Sequence, residues 1–353
     1  MSFAESEAIA CLARGEDLPC QLVEAVIQRM LSGASSSADM REFLSLMQRK
    51  GETVEELVGA ATAMRRAAVR IATDYPIVLD TCGTGGDGSQ TFNISTAAAI
   101  VIAAAGVPVA KHGNRKVTSS TGSADVLAEL GIDLDAPPAI VERCLNELKL
   151  CFCFAQRFHP AMKHVAEVRR SLSGPTIFNR LGPLCNPASA NRQVLGVGSS
   201  ELQAKLASAL LELGTERSLV VRGRDGVDEV SLESPTEVLE VRSESMPGTV
   251  GDDSAVGIVA FVWQPSDFGV VVQSRDDLFA DSPAASAACI RDALSGRAGA
   301  CRDAVLVNAA AGLWCAGEGL QLSDCFARAA DAIDSGRARE LVEQLARLSH
   351  TRA

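Results

Sequence analysis

The sequence predicts an α/β protein: a small all-helical domain plus a larger domain with a mainly parallel central sheet flanked by helices. Three observations carry this. Residues 1–72 place apolar side chains at spacings of three and four and offer no strand candidate before Tyr75. From Tyr75 onward, short aliphatic runs alternate with helical patterns, as in a parallel sheet covered on both faces. Aromatic residues make up 4% of the chain while Ala, Leu and Val abound, which suits closely packed helices on an aliphatic sheet better than an all-β sandwich.

Each element has its own signal. LVEAVIQRMLSG and DMREFLSLMQRKG end in glycine and are joined by the linker SGASSSAD (32–39). TVEELVGAATAMRRAAVRI opens with Thr53 and, three residues on, Glu56, a capping box. The exposed apolar stripes of these helices suit a homodimer. PIVLD (76–80) reads as a strand, STAAAIVIAAAG as a helix and VPVA (107–110) as the next strand. SADVLAELG and PPAIVERCLNELK are helical, and LCFCFA is a buried strand. FHPAMKHVAEVRRSL reads as a helix with Pro160 at its start. QVLGVGS, SSELQAKLASALLELG and RSLVVRG repeat the alternation, residues 236–273 read as strands with turns, and helix returns from about residue 283. The division expected is a helical domain over 1–72, with the helical stretch 158–190 packing on it, and an α/β domain over 73–157 and 191–353.

Composition narrows the function. The 353 residues carry a formal net charge of −11, which disfavours a general nucleic-acid binder but leaves room for a phosphorylated small molecule held by local cations. Eleven scattered cysteines include no Cys-x-x-Cys pair, so reduced thiols in a cytoplasmic protein are expected rather than a zinc site. The longest apolar run, AAAIVIAAAGVPVA, is interrupted by Gly106 and Pro108, so no membrane span is expected.

The chemistry centres on DTCGTGGDGSQTFNIST (80–96). Gly83-Thr84-Gly85-Gly86-Asp87-Gly88 satisfies the dinucleotide pattern G-x-G-x-x-G after a strand. That pattern also requires a helix opening within the motif and an acid at the end of the next strand. Here the helix starts after TFN, with Asn93 or Ser95 as cap, and the next strand ends in Lys111 and His112. A phosphate loop fits better. Glycines let backbone N–H groups approach phosphate oxygens, the helix start adds donors and a favourable dipole, and Lys111 supplies charge from a neighbouring strand end. KHGNRKVTSSTGSADVLAELG extends the site with Arg115 and Lys116 beside the hydroxyls of Thr118, Ser119, Ser120 and Thr121, ahead of a helix capped by Ser123.

GTGGDG, TFNIST, KHGNR, TGSADVLAELG, FHPAMKHVAEVRR, IFNRLGPLCNPA and DGVDEVS together resemble the anthranilate phosphoribosyltransferases of tryptophan biosynthesis, in order from about Asp80 to NAAAGLWCAG and AIDSGRA. The resemblance implies transfer of a phosphoribosyl group from phosphoribosyl pyrophosphate to the amine of anthranilate. It assigns the donor to Gly83, Gly86, Asp87 and Thr91, to Asn93, Ile94, Ser95 and Thr96, and to Ser123. Between these, the run Lys111, His112, Gly113, Asn114, Arg115, Lys116, Val117, Thr118 and Ser119 is also assigned to the donor. It implies Mg²⁺ at Ser95, Asp228 and Glu229, with Lys111 stabilising the departing pyrophosphate and no residue acting as nucleophile. The acceptor falls to Gly83, Asn114, Arg169, Gly182, Pro183 and His159. Arg170 competes with Arg169 except for the register of the motif, and His112 and His159 could equally be structural.

The chain departs from the family pattern at Gln156, Pro175, Arg180 and Arg222. Arg180, two residues from Gly182, bears on acceptor preference. A pyrimidine nucleoside phosphorylase and a non-catalytic nucleic-acid-binding relative share the expected architecture. KHGNR and FHPAMK…VRR count against the first, and the acidic charge with Arg169 and Asn114 against the second. A membrane role is not expected; a homodimer through the N-terminal helices is.

Overall fold

The computed structural model describes residues 2–85, 88–115, 121–243, 256–319 and 321–352. Four helices come first: α1 (Phe3–Ala13), α2 (Cys20–Leu31), α3 (Ser37–Lys50) and α4 (Val54–Ala67). The capping box at Thr53 and Glu56 closes in both directions, and a second one at Ser2 and Glu5 starts α1. The Glu56 carboxylate also accepts from Leu18 N (2.9 Å) and pairs with Lys50 (2.9 Å), so one buried acid ties three segments of the bundle.

The rest alternates: β1 (Leu79–Gly83), α5 (Ile94–Ala104), β2 (Val109–Gly113), α6 (Ser123–Glu129), α7 (Pro138–Leu148) and β3 (Leu150–Phe154). Three short helices follow, α8 (Ala155–Phe158), α9 (Lys163–Ser171) and α10 (Phe178–Leu181). Then come β4 (Arg192–Gly196), α11 (Ser200–Glu212), β5 (Arg217–Gly223), β6 (Thr236–Arg242) and β7 (Gly257–Trp263). Four helices close the chain: α12 (Pro283–Leu294), α13 (Ala300–Ala316), α14 (Leu322–Asp334) and α15 (Arg337–Ser349).

The seven strands form one sheet in the order β3-β2-β1-β4-β5-β6-β7. The first five are parallel and the last two antiparallel. This is the mainly parallel sheet flanked by helices that the alternation predicts. β1 and β2 begin later than PIVLD and VPVA suggest, and each runs on to a glycine, Gly83 and Gly113. Pro76 and Pro108 have no N–H to give a ladder, whereas pairing runs on through Lys111 and His112 to Gly113 opposite Phe154. The stretch predicted as one helix from Pro160 is a 3₁₀ turn (Pro160–Met162) leading into α9.

Side chains alternate across the sheet and feed two cores. Val194, Leu219 and Val221 join the core under α5 and α13, while Leu195, Val197 and Val220 join the core shared by α11 and the N-terminal helices. The CFCF strand behaves as predicted: Cys151, Phe152, Cys153 and Phe154 are all buried. All eleven cysteines are free thiols. Among the described residues no helix is long and apolar enough to cross a membrane.

The tightest contact in the bundle is α2 against α4. A Cβ added at Gly59 would stand 2.3 Å from the Cys20 carbonyl oxygen, a backbone atom that cannot rotate away. Gly59→Ala is therefore expected to lower the unfolding free energy by about 1–3 kcal/mol, although alanine is the better helix former by about 1 kcal/mol. Urea denaturation measures it; an unchanged midpoint would show that the two helices separate without cost.

Candidate active site

β1 lies between β2 and β4: the chain builds outward to β2 and β3 on one side of it, then crosses back to β4 on the other, and a crevice opens at the carboxyl ends of these strands. Gly83 ends β1 and Gly196 ends β4, paired with each other. The turn after β5 crosses directly over both. A Cβ on Gly196 would fall 1.6 Å from Asp228 O, and one on Gly83 would fall 2.4 Å from Asp228 Oδ2. Only strand ends without side chains admit Asp228 and Glu229 to the rim.

Those two acids hold the glycine loop and the helix start together. Asp228 Oδ2 accepts from Gly85 N (2.8 Å), and Glu229 Oε1 accepts from Ser95 N (3.1 Å) at the first turn of α5. The helix N-terminus predicted to meet phosphate thus meets a carboxylate of the chain itself, a favourable placement for the helix dipole. Asn93 caps α5 by position rather than by a side-chain bond to the helix. Its Oδ1 accepts from Thr121 Oγ1 (2.7 Å) and Ser286 Oγ (2.9 Å), anchoring the polar loop to α12. The cap of α6 is Gly122, one residue before the predicted Ser123, which is the first helical residue.

Lys111 reaches inward from β2 and is 3% exposed. Its ammonium donates to Thr81 O and to Ser95 Oγ (3.3 Å), which leaves one of three N–H groups for a ligand. Burial pushes its pKa down, opposed by the charge of Asp80. Asp80 is itself fully buried on β1, and burial raises its pKa while Lys111 lowers it. Its oxygens accept from His112 N (3.1 Å) and Asn186 Nδ2 (2.8 Å). Sequence reasoning passed over Asp80 and Asn186. The visible signal was an acid inside an otherwise apolar strand, PIVLD, which a strand end can bury only with partners.

Two cavities adjoin here. One, of about 250 Å³, is lined by Gly83, Ser89, Thr91, Asn93, Ser95, Lys111, Gly113, Arg115, Ser123, Asp228 and Glu229 among others. The other, of about 600 Å³, is lined by Met64 of α4, by Gln156, His159, Met162, Arg169, Phe178, Asn179 and Gly182, and by Pro175 and Arg180. Thr84, Gly85, His112 and Asn114 line both. The two remaining predicted donor residues on α5, Ile94 and Thr96, are buried beneath the first cavity wall rather than lining it. Pro183 lines a different cavity, its carbonyl taken by Gln193 Nε2 (2.7 Å). Gly86, Asp87, Lys116, Val117, Thr118, Ser119 and Ser120 lie outside the described residues.

In the larger cavity Arg169 stacks over Phe178, 5.4 Å from the ring centre, and donates to Asn179 Oδ1 (3.4 Å). Burial lowers its pKa, and its Nε has no partner. Arg170 does not line this cavity, so geometry separates it from Arg169. Of the departures from the family pattern, Gln156, Pro175 and Arg180 face this cavity, while Arg222 pairs with Glu237 (3.0 Å) on the sheet.

His112 and His159 lie with ring centres 5.0 Å apart. Gly182 O lies 3.0 Å from His112 Nδ1 and can only accept, so Nδ1 carries the proton and the buried Nε2 keeps an open lone pair. Burial, with the nearby Lys111 charge, holds His112 down to about 4 from its ordinary 6.5. Burial and His112 hold His159 down to about 3.

The comparisons with known proteins agree with this geometry. Residues 6–68 match the helical bundle domain of a glycosyl transferase family, and residues 75–339 match that family's a/b domain. The anthranilate phosphoribosyltransferase of Rhodopirellula baltica is 47% identical, covering 98% of this chain and 97% of that protein. The crystal structure of anthranilate phosphoribosyltransferase from Thermus thermophilus superposes with a TM-score of 0.87 at 39% identity, over 98% of this chain and 99% of that one. The Saccharomyces cerevisiae enzyme, solved in complex with PRPP and Mg, gives 0.85 at 28% identity, over 99% and 98%.

The histidines make stability depend on pH. Their folded pKa values lie below the unfolded one, so between pH 6.5 and about 4 the unfolded chain binds more protons and stability falls with falling pH. Near pH 5 each ring costs about 2 kcal/mol. Unfolding measured from pH 7 to 5 is expected to show this loss, and His159→Gln to flatten the slope.

Proposed function

The chain belongs to the glycosyl transferase family of the anthranilate phosphoribosyltransferases, and from that premise we propose that the smaller cavity takes phosphoribosyl pyrophosphate and the larger one anthranilate. The enzyme transfers the phosphoribosyl group to the amine of anthranilate and releases pyrophosphate, a step of tryptophan biosynthesis. The ribose carbon–oxygen bond to pyrophosphate breaks, the carbon–nitrogen bond forms, and the amine gives up a proton. One observation carries the reading: two cavities of different character share a wall of Thr84, Gly85, His112 and Asn114, so a donor in one faces an acceptor in the other.

On the donor side, Gly83, Thr91, Asn93, Gly113, Arg115 and Ser123 surround the charged end of the substrate with amides, hydroxyls and a guanidinium. Lys111 supplies fixed charge where pyrophosphate leaves, and an arriving anion opposes the burial that lowers its pKa. Ser95, Asp228 and Glu229 present a hydroxyl and two carboxylates at one rim, a hard-oxygen set that suits Mg²⁺. Bound there, Mg²⁺ would offset the charge of the phosphates. Both carboxylates already accept from the glycine loop and the α5 start, so they stand aligned at the rim before any ligand arrives.

On the acceptor side, Arg169 holds the carboxylate of anthranilate. Its guanidinium is desolvated and braced on Phe178, and neither Asn179 nor the ring neutralises it. The Gly182 turn bounds the flat ring, with Asn114 at the shared wall. His112 and His159 stay neutral at pH 7, and His112 Nε2 orients the amine through its lone pair rather than holding a proton. The chemistry is positioning and charge stabilisation without a protein nucleophile. The frame is the division into 1–72 with 158–190 against 73–157 and 191–353, in a cytoplasmic homodimer paired through the N-terminal helices.

Loss of anthranilate fluorescence in the presence of phosphoribosyl pyrophosphate and Mg²⁺ tests the assignment. Arg169→Ala removes a charge-assisted contact and is expected to raise the anthranilate KM about 10- to 100-fold with a smaller effect on the donor. Asp228→Asn is expected to lower kcat/KM by about 10- to 100-fold, most steeply at limiting Mg²⁺. Phosphorolysis of thymidine by the wild type, or unchanged kinetics in both variants, would remove the assignment.

A further inference from the structure

Away from the catalytic rim, the chain crosses three times between its helical bundle and its sheet: between α4 and β1, after β3, and between α10 and β4. The crossings are bonded side by side, Val69 N donating to Phe158 O (2.8 Å) and Ile71 N to Pro187 O (3.2 Å). Between the first and third crossings and the C-terminal end of α11 lies a cavity of about 290 Å³. Asn191 and Gln193 at the start of β4 line it, whereas the catalytic rim lies at the other end of that strand.

Its lining is chemically one-sided. Arg65 and Arg70 both line it, and among the described residues no aspartate or glutamate does. Arg65 donates to Leu184 O (2.6 Å) and Leu213 O (3.3 Å). Carbonyl oxygens satisfy hydrogen bonds but leave the charge in place, and burial lowers the pKa of this guanidinium. Arg70, exposed on the first crossing, makes no ion pair with any described residue. Ser189 also lines the cavity, with φ 52°, the left-handed region that a residue with a side chain occupies at a cost. Two unneutralised guanidiniums around one cavity, in a chain of net charge −11, call for an anion.

We propose that this cavity binds a small oxyanion, a single phosphoryl or carboxylate group held between Arg65 and Arg70 with the Ser189 hydroxyl as a further donor. The occupant bridges α4 to the third crossing and α11, and so fastens the bundle to the sheet far from the reacting atoms.

The full chain, crystallised and soaked with selenate, gives the direct test. Anomalous density is expected within hydrogen-bond reach of Arg65 and Arg70, and is expected to vanish in Arg70→Glu while any signal beside Lys111 persists. In solution, inorganic phosphate or malonate is expected to raise the unfolding temperature of the wild type more than that of Arg70→Glu. Response to phosphate alone identifies a phosphoryl ligand, and response to malonate alone a carboxylate. Without anion, Arg70→Glu should unfold no lower than the wild type, since the new carboxylate neutralises Arg65, and retained turnover confirms its fold. A soak that labels the Lys111 rim but not this cavity, or equal thermal shifts in both proteins with both probes, overturns the proposal.

Discussion

The site depends on the absence of side chains at two paired strand ends. Gly83 and Gly196 leave the carboxyl edge of β1 and β4 bare, and the Asp228 backbone lies on it at a distance no Cβ would permit. From that contact the rest follows in order. Asp228 turns to the glycine loop, Glu229 turns to the start of α5, and Ser95 is brought within reach of Lys111. The connections after β1, β2 and β5, distant in sequence, share one rim because a single turn was allowed to come down on two bare strand ends.

Beneath the rim, Asp80 and Lys111 place opposite charges on neighbouring strands where water is excluded. Neither is a cheap residue to bury, and each owes part of its ionisation to the other. Asp80 also grips the His112 amide and, through Asn186, the segment that returns from the larger cavity to β4. The walls of both cavities are therefore referenced to the same buried carboxylate. This gives a physical reason for the shared wall at His112 and Asn114.

Much of this was legible in the sequence. Period and punctuation located the helices, RSLVVRG is β5 residue for residue, and the Lys111 strand end set the glycine loop apart from a dinucleotide fingerprint. What escaped has specific causes. The strand ends shifted because prolines mark where pairing cannot begin, not where it stops. Ser123 reads as a cap in the sequence, although Gly122 has the extended backbone that the position needs. The Asp228–Glu229 pair drew notice only through family resemblance, because an acidic turn after a strand looks the same whether it faces solvent or folds back over a neighbour. Asp80 escaped because period alone does not say which residue of an apolar strand will be enclosed. That Gln156, Pro175 and Arg180 converge on one cavity is a tertiary fact that no local window contains.

The distribution of sulfur has a further consequence. Cys144, Cys151, Cys153, Cys185, Cys315 and Cys325 are buried, and low polarity around Cys144, Cys185, Cys315 and Cys325 pushes their thiols up to between about 11 and 12. They are spread over α7, β3, the return segment and the C-terminal helices, with Cys185 alone of the six in the core beneath the bundle. An alkylating reagent meets each of them only when its own neighbourhood opens. Native cysteines thus form a built-in set of clocks, timing the breathing of one core against the other without any label being introduced.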